Sequence, residues 1–158
     1  MANTQALTTS FLGEVLTATH NFGTAPVRAS GAADTFKAAL FLTSATIDAA
    51  TTAYTTSGEV SGTGYTAGGV AVTNATAPLA SNSSATAGVA YWTPSASITY
   101  TTVTLTTAFD CVLIYNSTQS NKAVSVHTFG SQTITAGTFT LTMPANTTST
   151  ALLRLATT

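Results

Sequence analysis

The stretch SITYTTVTLTTAFDCVLIY, residues 97–115, decides the fold class of this chain. Up to Tyr100 apolar and polar residues alternate, which is the pattern of a strand with one buried face. From Val103 onward the apolar residues fall on the opposite face of the same strand. We therefore predict a β-bulge or bend at Thr101-Thr102 that brings both sets of apolar residues to one side.

The end of this stretch, Cys111 to Tyr115, is apolar at every position. This pattern predicts a central strand covered on both faces, with an N-terminal helix as a candidate cover for one of them. Cys111 is the only cysteine, so the chain forms no intramolecular disulfide and packing must hold the fold together. We interpret Cys111 as a small buried hydrophobe rather than a reactive thiol.

Short apolar runs punctuated by turn residues continue on both sides of this stretch. We predict strands at residues 36–43, 70–72, 89–93, 97–107, 109–115, 122–129, 132–135, 138–143 and 151–155. Turns at Gly130 and Ala136-Gly137 would separate the last of them, and residues 75–87, rich in Ala, Ser and Asn, would form a long loop. Closely spaced short strands favour a mainly β fold, an antiparallel β-sandwich or barrel-like single domain over residues 23–158.

The first 22 residues have helical rather than strand spacing, and we predict that residues 1–22 form an N-terminal helical arm. The apolar residues that would form one face of a short α-helix over about residues 4–20 are Leu7, Phe11, Leu12, Val15 and Leu16. Asn3 or Thr4 would cap its start and Gly23 would end it. Low intrinsic propensity means that the helix needs a packing partner, either the protein's own sheet or a neighbouring subunit.

Glycine dominates the segment GEVSGTGYTAGG, residues 58–69, which we predict to be an exposed loop extending from the domain. Its spacing G-x-G-x-x-x-G, at Gly62, Gly64 and Gly68, misses the dinucleotide fingerprint by one residue. No Lys-Ser/Thr pair follows to make a phosphate-binding P-loop. The loop therefore carries no nucleotide-binding prediction.

Charged residues make up only 6% of the 158 residues, against roughly a quarter in ordinary soluble proteins, while about a quarter of the positions are Thr. A hydroxyl-rich surface with little like-charge repulsion suits permanent assembly, and we expect a homo-oligomer. Four cations and a net charge of −1 disfavour nucleic acid as a partner. Because the chain has neither a secretory signal pattern nor a membrane-spanning apolar stretch, we expect synthesis in a cytoplasm and no membrane association.

Residues able to do chemistry are few. His20 and His127 are the only candidate bases near neutral pH, and the five carboxylates are scattered without pairing at motif spacing. One cysteine and two distant histidines disfavour a metal site, and we interpret His127 as a surface or interface residue of a strand. The sequence thus predicts neither an enzyme nor a cofactor, and a small hydrolase remains a weak third hypothesis.

Aromatic residues beside the loops are candidate interface anchors, because amphipathic rings bury area at low entropic cost. We single out Tyr65 in the glycine-rich segment and Trp92 beside a strand end as candidate subunit-interface residues, together with the apolar face of the predicted helix. The alternative for Trp92 is that its ring closes the end of the β core.

Several segments together resemble a group of small tailed-bacteriophage proteins regarded as virion structural components. They are MANTQALTTSF, DTFKAALF, GEVSGTGYTAGG, YWTPSAS, AFDCVLIYNST and VHTFGSQTITAGTFTLTMP. The resemblance spans nearly the whole chain. It implies a component of a virus particle, carries no catalytic motif to any position and leaves head and tail undecided.

Two functional hypotheses follow. The first is a capsid cement or decoration protein on the particle surface, whose residues 1–22 and loop 58–69 clamp neighbouring major capsid proteins. The second is a tail or fibre component, including a receptor-binding module that recognises host glycans. Particle imaging separates them, since many copies on the shell support the first and a few at the tail support the second.

Overall fold

A computed structural model describes residues 3–16, 18–22, 33–73, 78–81 and 88–156, without the side chains of Gly13 and Leu16. The described chain is mainly β, with two antiparallel sheets and one short helix, which confirms the predicted fold class of a β-sandwich-like domain. The elements are β1 (Ala6–Leu7), α1 (Thr9–Leu16), β2 (Phe36–Leu42), β3 (Val70–Val72), β4 (Leu79–Ser81), β5 (Val89–Trp92), β6 (Ile98–Asn116), β7 (Lys122–Leu141) and β8 (Leu153–Ala156). The larger sheet has the order β1-β7-β6-β2-β3 and the smaller one β4-β5-β8.

A long two-stranded ribbon, β6 with β7, forms the centre of the molecule. Its strands have 19 and 20 residues, so the predicted turns at Gly130 and Ala136-Gly137 are wrong, and the strands predicted at 97–107 and 109–115 are one. The chain absorbs these residues as register shifts inside continuous strands, for example where Val103 faces Gly137 while Leu105 faces Ile134. Glycine and small residues therefore mark bulges here rather than strand ends.

The bulge predicted at Thr101-Thr102 is confirmed. Tyr100 pairs with Phe139 and Val103 pairs with Gly137, so two residues of β6 stand opposite one residue of β7. Thr102 has a φ of 53°, a left-handed backbone conformation that bulges accommodate. As a result both Tyr100 and Val103 are buried, at 2% and 1% exposure.

The ribbon bends back on itself and encloses the larger of two apolar cores. Tyr100, near one end of β6, donates a hydrogen bond to the carbonyl oxygen of Ala38 on β2 at 2.8 Å. At the bend, the ring of Phe109 lies 5.1 Å from that of Phe139 in an edge-to-face contact. Phe11 of α1 belongs to the same core, so α1 contributes to the cover of this face, as predicted.

A smaller core covers the opposite face of the central strands. Cys111, Leu113 and Tyr115 pack there against Ala39 and Phe41 of β2. Residues on both faces of β6 from Cys111 to Asn116 are buried, which confirms the predicted central strand. Burial, helped by the adjacent Asp110 charge, raises the pKa of the Cys111 thiol to about 12, in agreement with an inert buried cysteine.

The smaller sheet includes a strand within a segment predicted to be a loop. β4, Leu79–Ser81, pairs antiparallel with β5, and β5 pairs with β8 on its other side. Pattern analysis missed β4 because three residues among Ala, Ser and Asn carry no period. The rest of the predicted loop, apart from Pro78, lies outside the described residues.

The N-terminal helix is shorter than predicted, since Ala6 and Leu7 form a strand paired with Val126 and Ser125 of β7. Thr8 caps the helix in place of Asn3 or Thr4, and its Oγ1 accepts the backbone N–H of Phe11 at 3.4 Å. The predicted stop at Gly23 lies outside the described residues. Ala6 and Leu7 form their backbone hydrogen bonds with β7, so these two residues are a strand although their apolar spacing is helical.

Residues 58–69 form a loop, as predicted, and residues 61–64, 66 and 67 are exposed, but the loop lies against the larger sheet instead of extending from it. Thr63 forms a β-bridge with Thr104, and Val60 is 4% exposed. A Cβ added at Gly62 would lie 2.1 Å from the Thr104 carbonyl oxygen, and one added at Gly69 would lie 1.7 Å from that of Ala38. The glycines therefore serve close backbone approach, and the prediction of an extending loop is wrong.

Candidate docking surface

Helix α1 is fixed to the sheet by its capping residue. Thr8 is fully buried, its backbone N–H donates to the Val124 carbonyl, and its Oγ1 donates to the Ala123 carbonyl at 3.1 Å. The next backbone N–H, that of Thr9, donates to Ala49 at 2.9 Å. The segment predicted as an arm therefore contributes a strand and a helix to the domain's own packing within this single chain.

An apolar cavity of about 230 Å³ opens between α1 and the smaller sheet. Its lining includes Phe11, Val15 and Phe22 from the N-terminal side and Tyr91, Trp92 and Leu155 from the sheet. Phe22 stacks on Phe36 at 4.4 Å and lies 4.8 Å from Trp92, so aromatic rings form a rigid floor.

Exposed apolar side chains surround this cavity. Val15 and Leu155 line it and are each 36% exposed. Leu79, 46% exposed, lies on β4 opposite Tyr91, which also lines it. We call the cavity together with Val15, Leu79 and Leu155 the helix–sheet surface.

A buried polar network lies next to the cavity and centres on His20, whose side chain is 1% exposed. Asn116 Oδ1 accepts the backbone N–H groups of Thr118 and Gln119, which fixes its Nδ2 as the donor to His20 Nδ1 at 3.0 Å. His20 Nε2 must then carry the proton and donate to Glu14 Oε2 at 2.8 Å. Glu14 also pairs with Lys122, which ties α1 to the start of β7.

The pKa values agree with this network. Burial lowers the pKa of His20 below its ordinary value, although Glu14 works in the opposite direction. For Glu14, burial favours the neutral form, but hydrogen bonds from Lys122 and His20 outweigh it and hold the pKa below its ordinary value. His20 is thus neutral at pH 7, and the described residues that line the cavity carry no charge.

The seven predicted interface residues separate into different environments. Phe11 and Trp92, both 2% exposed, form part of the floor of the cavity, and Trp92 closes the core as its alternative interpretation stated. Val15 lies at the rim, whereas Leu12 is 45% exposed but does not line the cavity. Leu7 is partly buried and paired in β1, and the Leu16 side chain lies outside the described residues. The interface role of all seven stays a prediction.

Tyr65 lies elsewhere, in a cluster around Glu59. Its hydroxyl donates to Glu59 Oε1 at 2.7 Å, and the hydroxyl of Tyr54 donates to Oε2 at 2.6 Å. Gly68 donates its backbone N–H to the same carboxylate at 2.7 Å. Burial and the Glu59 carboxylate raise the pKa of Tyr65 well above its ordinary value. The Glu59 carboxylate therefore links Tyr54, Tyr65 and Gly68, and Tyr65 packs partly buried against the larger core.

The contact closest to a catalytic pair is Ser125 Oγ to His127 Nε2, at 2.9 Å. Ser125 is fully buried, so a substrate carbonyl has no access to its hydroxyl. Burial also lowers the pKa of His127 to about 4, which agrees poorly with a base poised near neutral pH. This geometry gives the hydrolase hypothesis no support.

Two further features concern only the described part of the chain. There, no group of three or more His, Cys, Asp or Glu side chains is close enough to bind a metal ion. The helical residues in the same part include no stretch with the length and apolar character needed to cross a bilayer.

Sequence analysis missed part of the helix–sheet surface. Leu79 and Leu155 are exposed leucines on short strands. The residues of β4 show no alternation of apolar and polar side chains, and the pattern of β8 predicts an ordinary strand, so neither leucine was singled out. The partnership of Glu14, His20 and Asn116 also left no signal, since the three come from distant parts of the chain.

Comparisons with protein-family models, with curated proteins and with solved structures found no match for this chain.

Proposed function

We propose that the protein is a structural component of a bacteriophage particle, a capsid cement or decoration protein that binds neighbouring major capsid proteins through the helix–sheet surface. It would be made in the host cytoplasm and would lie on the particle surface as a homo-oligomer. The observation that carries this proposal is the uncharged apolar surface between α1 and the smaller sheet. The sequence resemblance to phage virion proteins supports the choice of particle.

The physical support begins with the exposed leucines. Fully burying a leucine side chain is worth about 1.5–3 kcal/mol, so completing the burial of Leu79 and Leu155 would give roughly 1 kcal/mol each. Repeated over many copies on a shell, interfaces of this modest strength add stability by mass action. Exposed leucines grouped around a cavity are typical of an interaction site.

The electrostatics favour the same use of the surface. Burying a charge in an interface costs free energy unless it is paired, and none of the described residues that line this cavity is charged at pH 7. The charged pair nearby, Glu14 with Lys122, already satisfies itself within the chain. A partner therefore needs to present apolar surface rather than a complementary charge.

The structure changes the best experiment. Deleting residues 1–22 would remove Thr8 and Phe11 from the core, so failure to bind would report misfolding rather than a lost anchor. Point changes at exposed positions avoid this problem. We choose the double variant Leu79→Asp/Leu155→Asp, because both side chains face solvent in the free chain.

The assay measures occupancy of phage capsids that lack the protein after addition of the purified chain. Two buried carboxylates in place of two leucines should lower affinity at least tenfold, while Thr99→Asp/Thr107→Asp, on exposed positions of β6, should bind like the wild type. Full occupancy by the leucine variant would reject the helix–sheet surface. A wild-type chain that leaves shells empty would reject the cement function.

A tail or fibre component remains the second candidate, and one observation favours it. Thr99 and Thr140 stand opposite each other on an exposed face of the ribbon, with their hydroxyls 3.5 Å apart, and hydroxyl rows of this kind can contact sugars. Imaging of particles with labelled protein distinguishes the two, because the alternative requires a few copies at the tail and none on the shell.

A further inference from the structure

The edges of the two sheets differ greatly in length. Four edge strands have only two to four residues each, namely β1, β3, β4 and β8. Their short length discourages pairing with another chain, as does the charge of Arg154 on β8. β7 is the exception. It pairs on its outer side with β1 only at Ser125 and Val126, and no other described strand covers the remainder.

The part of β7 that no described strand covers lacks charged residues and prolines, two common protections of an edge. Between Gln132 and Leu141 the exposed positions are mostly threonines. Three register shifts with β6 lie along this segment, and at one of them Ala136 has a φ of 46°. Beyond it, Phe139 to Leu141 pair residue for residue with Ile98 to Tyr100, so their outward backbone groups form a regular template.

We propose that this β7 edge, Gln132 to Leu141, pairs antiparallel with the same edge of a second copy of the chain. Antiparallel pairing of identical edges is two-fold symmetric and closes without further growth, which is the commonest arrangement of homodimers. An uncharged edge meets its own copy without like-charge repulsion, and opposed threonines are favourable cross-strand pairs. The chain already contains one such pair, Thr99 with Thr140.

The size of this contact sets its strength. Ten residues extend about 34 Å, and with a sheet roughly 10 Å thick the pairing buries on the order of 700 Å² in total. Stable dimers bury about 1,200–2,000 Å², so the edge supports a weak, reversible dimer in solution. This inference does not depend on the particle function, although a crowded shell would favour the same pairing.

Sedimentation of the full chain over a range of concentrations tests the proposal with matched variants. Thr138→Lys/Thr140→Lys places two charges on the edge strand, whereas Thr99→Lys/Thr101→Lys places them at exposed positions of the neighbouring strand. The wild type should dimerise weakly, the edge variant should dissociate at least tenfold more readily, and the β6 variant should stay within threefold of the wild type. Equal weakening by both variants, or a wild type monomeric at millimolar concentration, would overturn the self-pairing.

A distance measurement between spin labels tests the same dimer without the lysine variants. Because Cys111 is buried and its pKa is raised to about 12, Thr138→Cys accepts a single nitroxide label. Label pairs closer than about 35 Å, the length of the paired segment, support the edge dimer, and a dimer without them rejects it. A monomeric wild type whose edge variant loses capsid binding would assign the edge to a capsid segment instead. The leucine variants of the helix–sheet surface test the particle function separately.

Discussion

The two halves of the β6–β7 ribbon share the same antiparallel pairing but differ in how many of their faces are buried. In the central half, Cys111 to Asn116 are buried without interruption, because an apolar core lies on each side. In the outer half, β6 from Ile98 to Thr107 buries one face and exposes threonines on the other. One hydrogen-bonded ribbon is therefore interior structure at one end and surface at the other, and the number of covered faces sets the sequence pattern.

This difference bears on function. In the central half, β2 pairs with β6 from Phe109 to Asn116, and β1 pairs with β7 at Ser125 and Val126. No described strand pairs with the outer edge of β7 in its outer half, and the helix–sheet surface lies elsewhere, between α1 and the smaller sheet. Both proposed contacts thus fall outside the doubly covered region from Cys111 to Asn116.

The largest effect should come from the corner where the two halves meet. Phe109 is fully buried and its ring contacts those of Phe129 and Phe139. We expect Phe109→Ala to lower the free energy of unfolding by about 4 kcal/mol, since it removes transfer energy and leaves a cavity. Thr99→Ala in the outer half should change it by less than about 0.5 kcal/mol. Chemical denaturation measures both, and similar losses would contradict the distinction between the halves.

A somewhat smaller effect should come from pH, through His127 where β7 leaves the central half. Its pKa is about 4 when folded and 6.5 when unfolded, so below pH 6.5 the unfolded chain binds more protons. We expect the free energy of unfolding to fall by about 3 kcal/mol from this residue as the pH drops from 6.5 to 4. His20, whose pKa is also lowered, acts in the same direction.

Urea denaturation between pH 7 and pH 4 tests this. His127→Gln keeps a polar partner for Ser125 and should have a shallower decline with pH than the wild type. Below about pH 4.5 a further loss from Glu14 remains in both proteins, because its lowered pKa stabilises the fold only above that range. An identical decline in wild type and variant would show that His127 is not responsible.

The smallest of the three effects should come from the cover along the outer half of β6. Gly64 has a φ of 79°, and a Cβ there would lie 2.2 Å from the Thr102 carbonyl oxygen. We expect Gly64→Ala to cost about 2 kcal/mol of unfolding free energy through strain and displaced backbone. Gly130→Ala is the matched control, since an added Cβ there meets nothing within 4 Å. Thermal unfolding compares the two variants. Equal midpoints would contradict the expected strain and show that residues 58–69 shift to accommodate the added Cβ.

Much of the fold was open to prediction because periodic burial leaves a pattern in the sequence. The slip between Tyr100 and Val103 predicted the bulge, and the unbroken run to Tyr115 predicted a doubly covered strand. The glycine-rich segment and the turn at Gly130 were misjudged for one reason. Glycine marks a backbone close to something or in an unusual conformation, and the sequence does not say whether that is a turn, a bulge or a neighbouring strand.

For the candidate surface, the sequence singled out Phe11, Val15 and Trp92, which do line the cavity, but it could not separate floor from rim. Leu155 belongs to it because β8 brings it to the cavity beside α1, and Leu79 because β4 places it opposite Tyr91. Tyr65 was expected to be exposed, whereas Glu59 and the Leu40 backbone N–H engage its hydroxyl.

By itself the sequence determined a mainly β chain with low charge, one inert cysteine and a central strand from Cys111 to Tyr115, because composition and local period depend only on each residue and its near neighbours. Only the tertiary structure decided that the ribbon bends at Phe109, that His20 joins Glu14 to Asn116, and that no described strand covers the outer half of β7. These features arise from contacts between residues far apart in the chain, and such contacts leave no period in a single sequence.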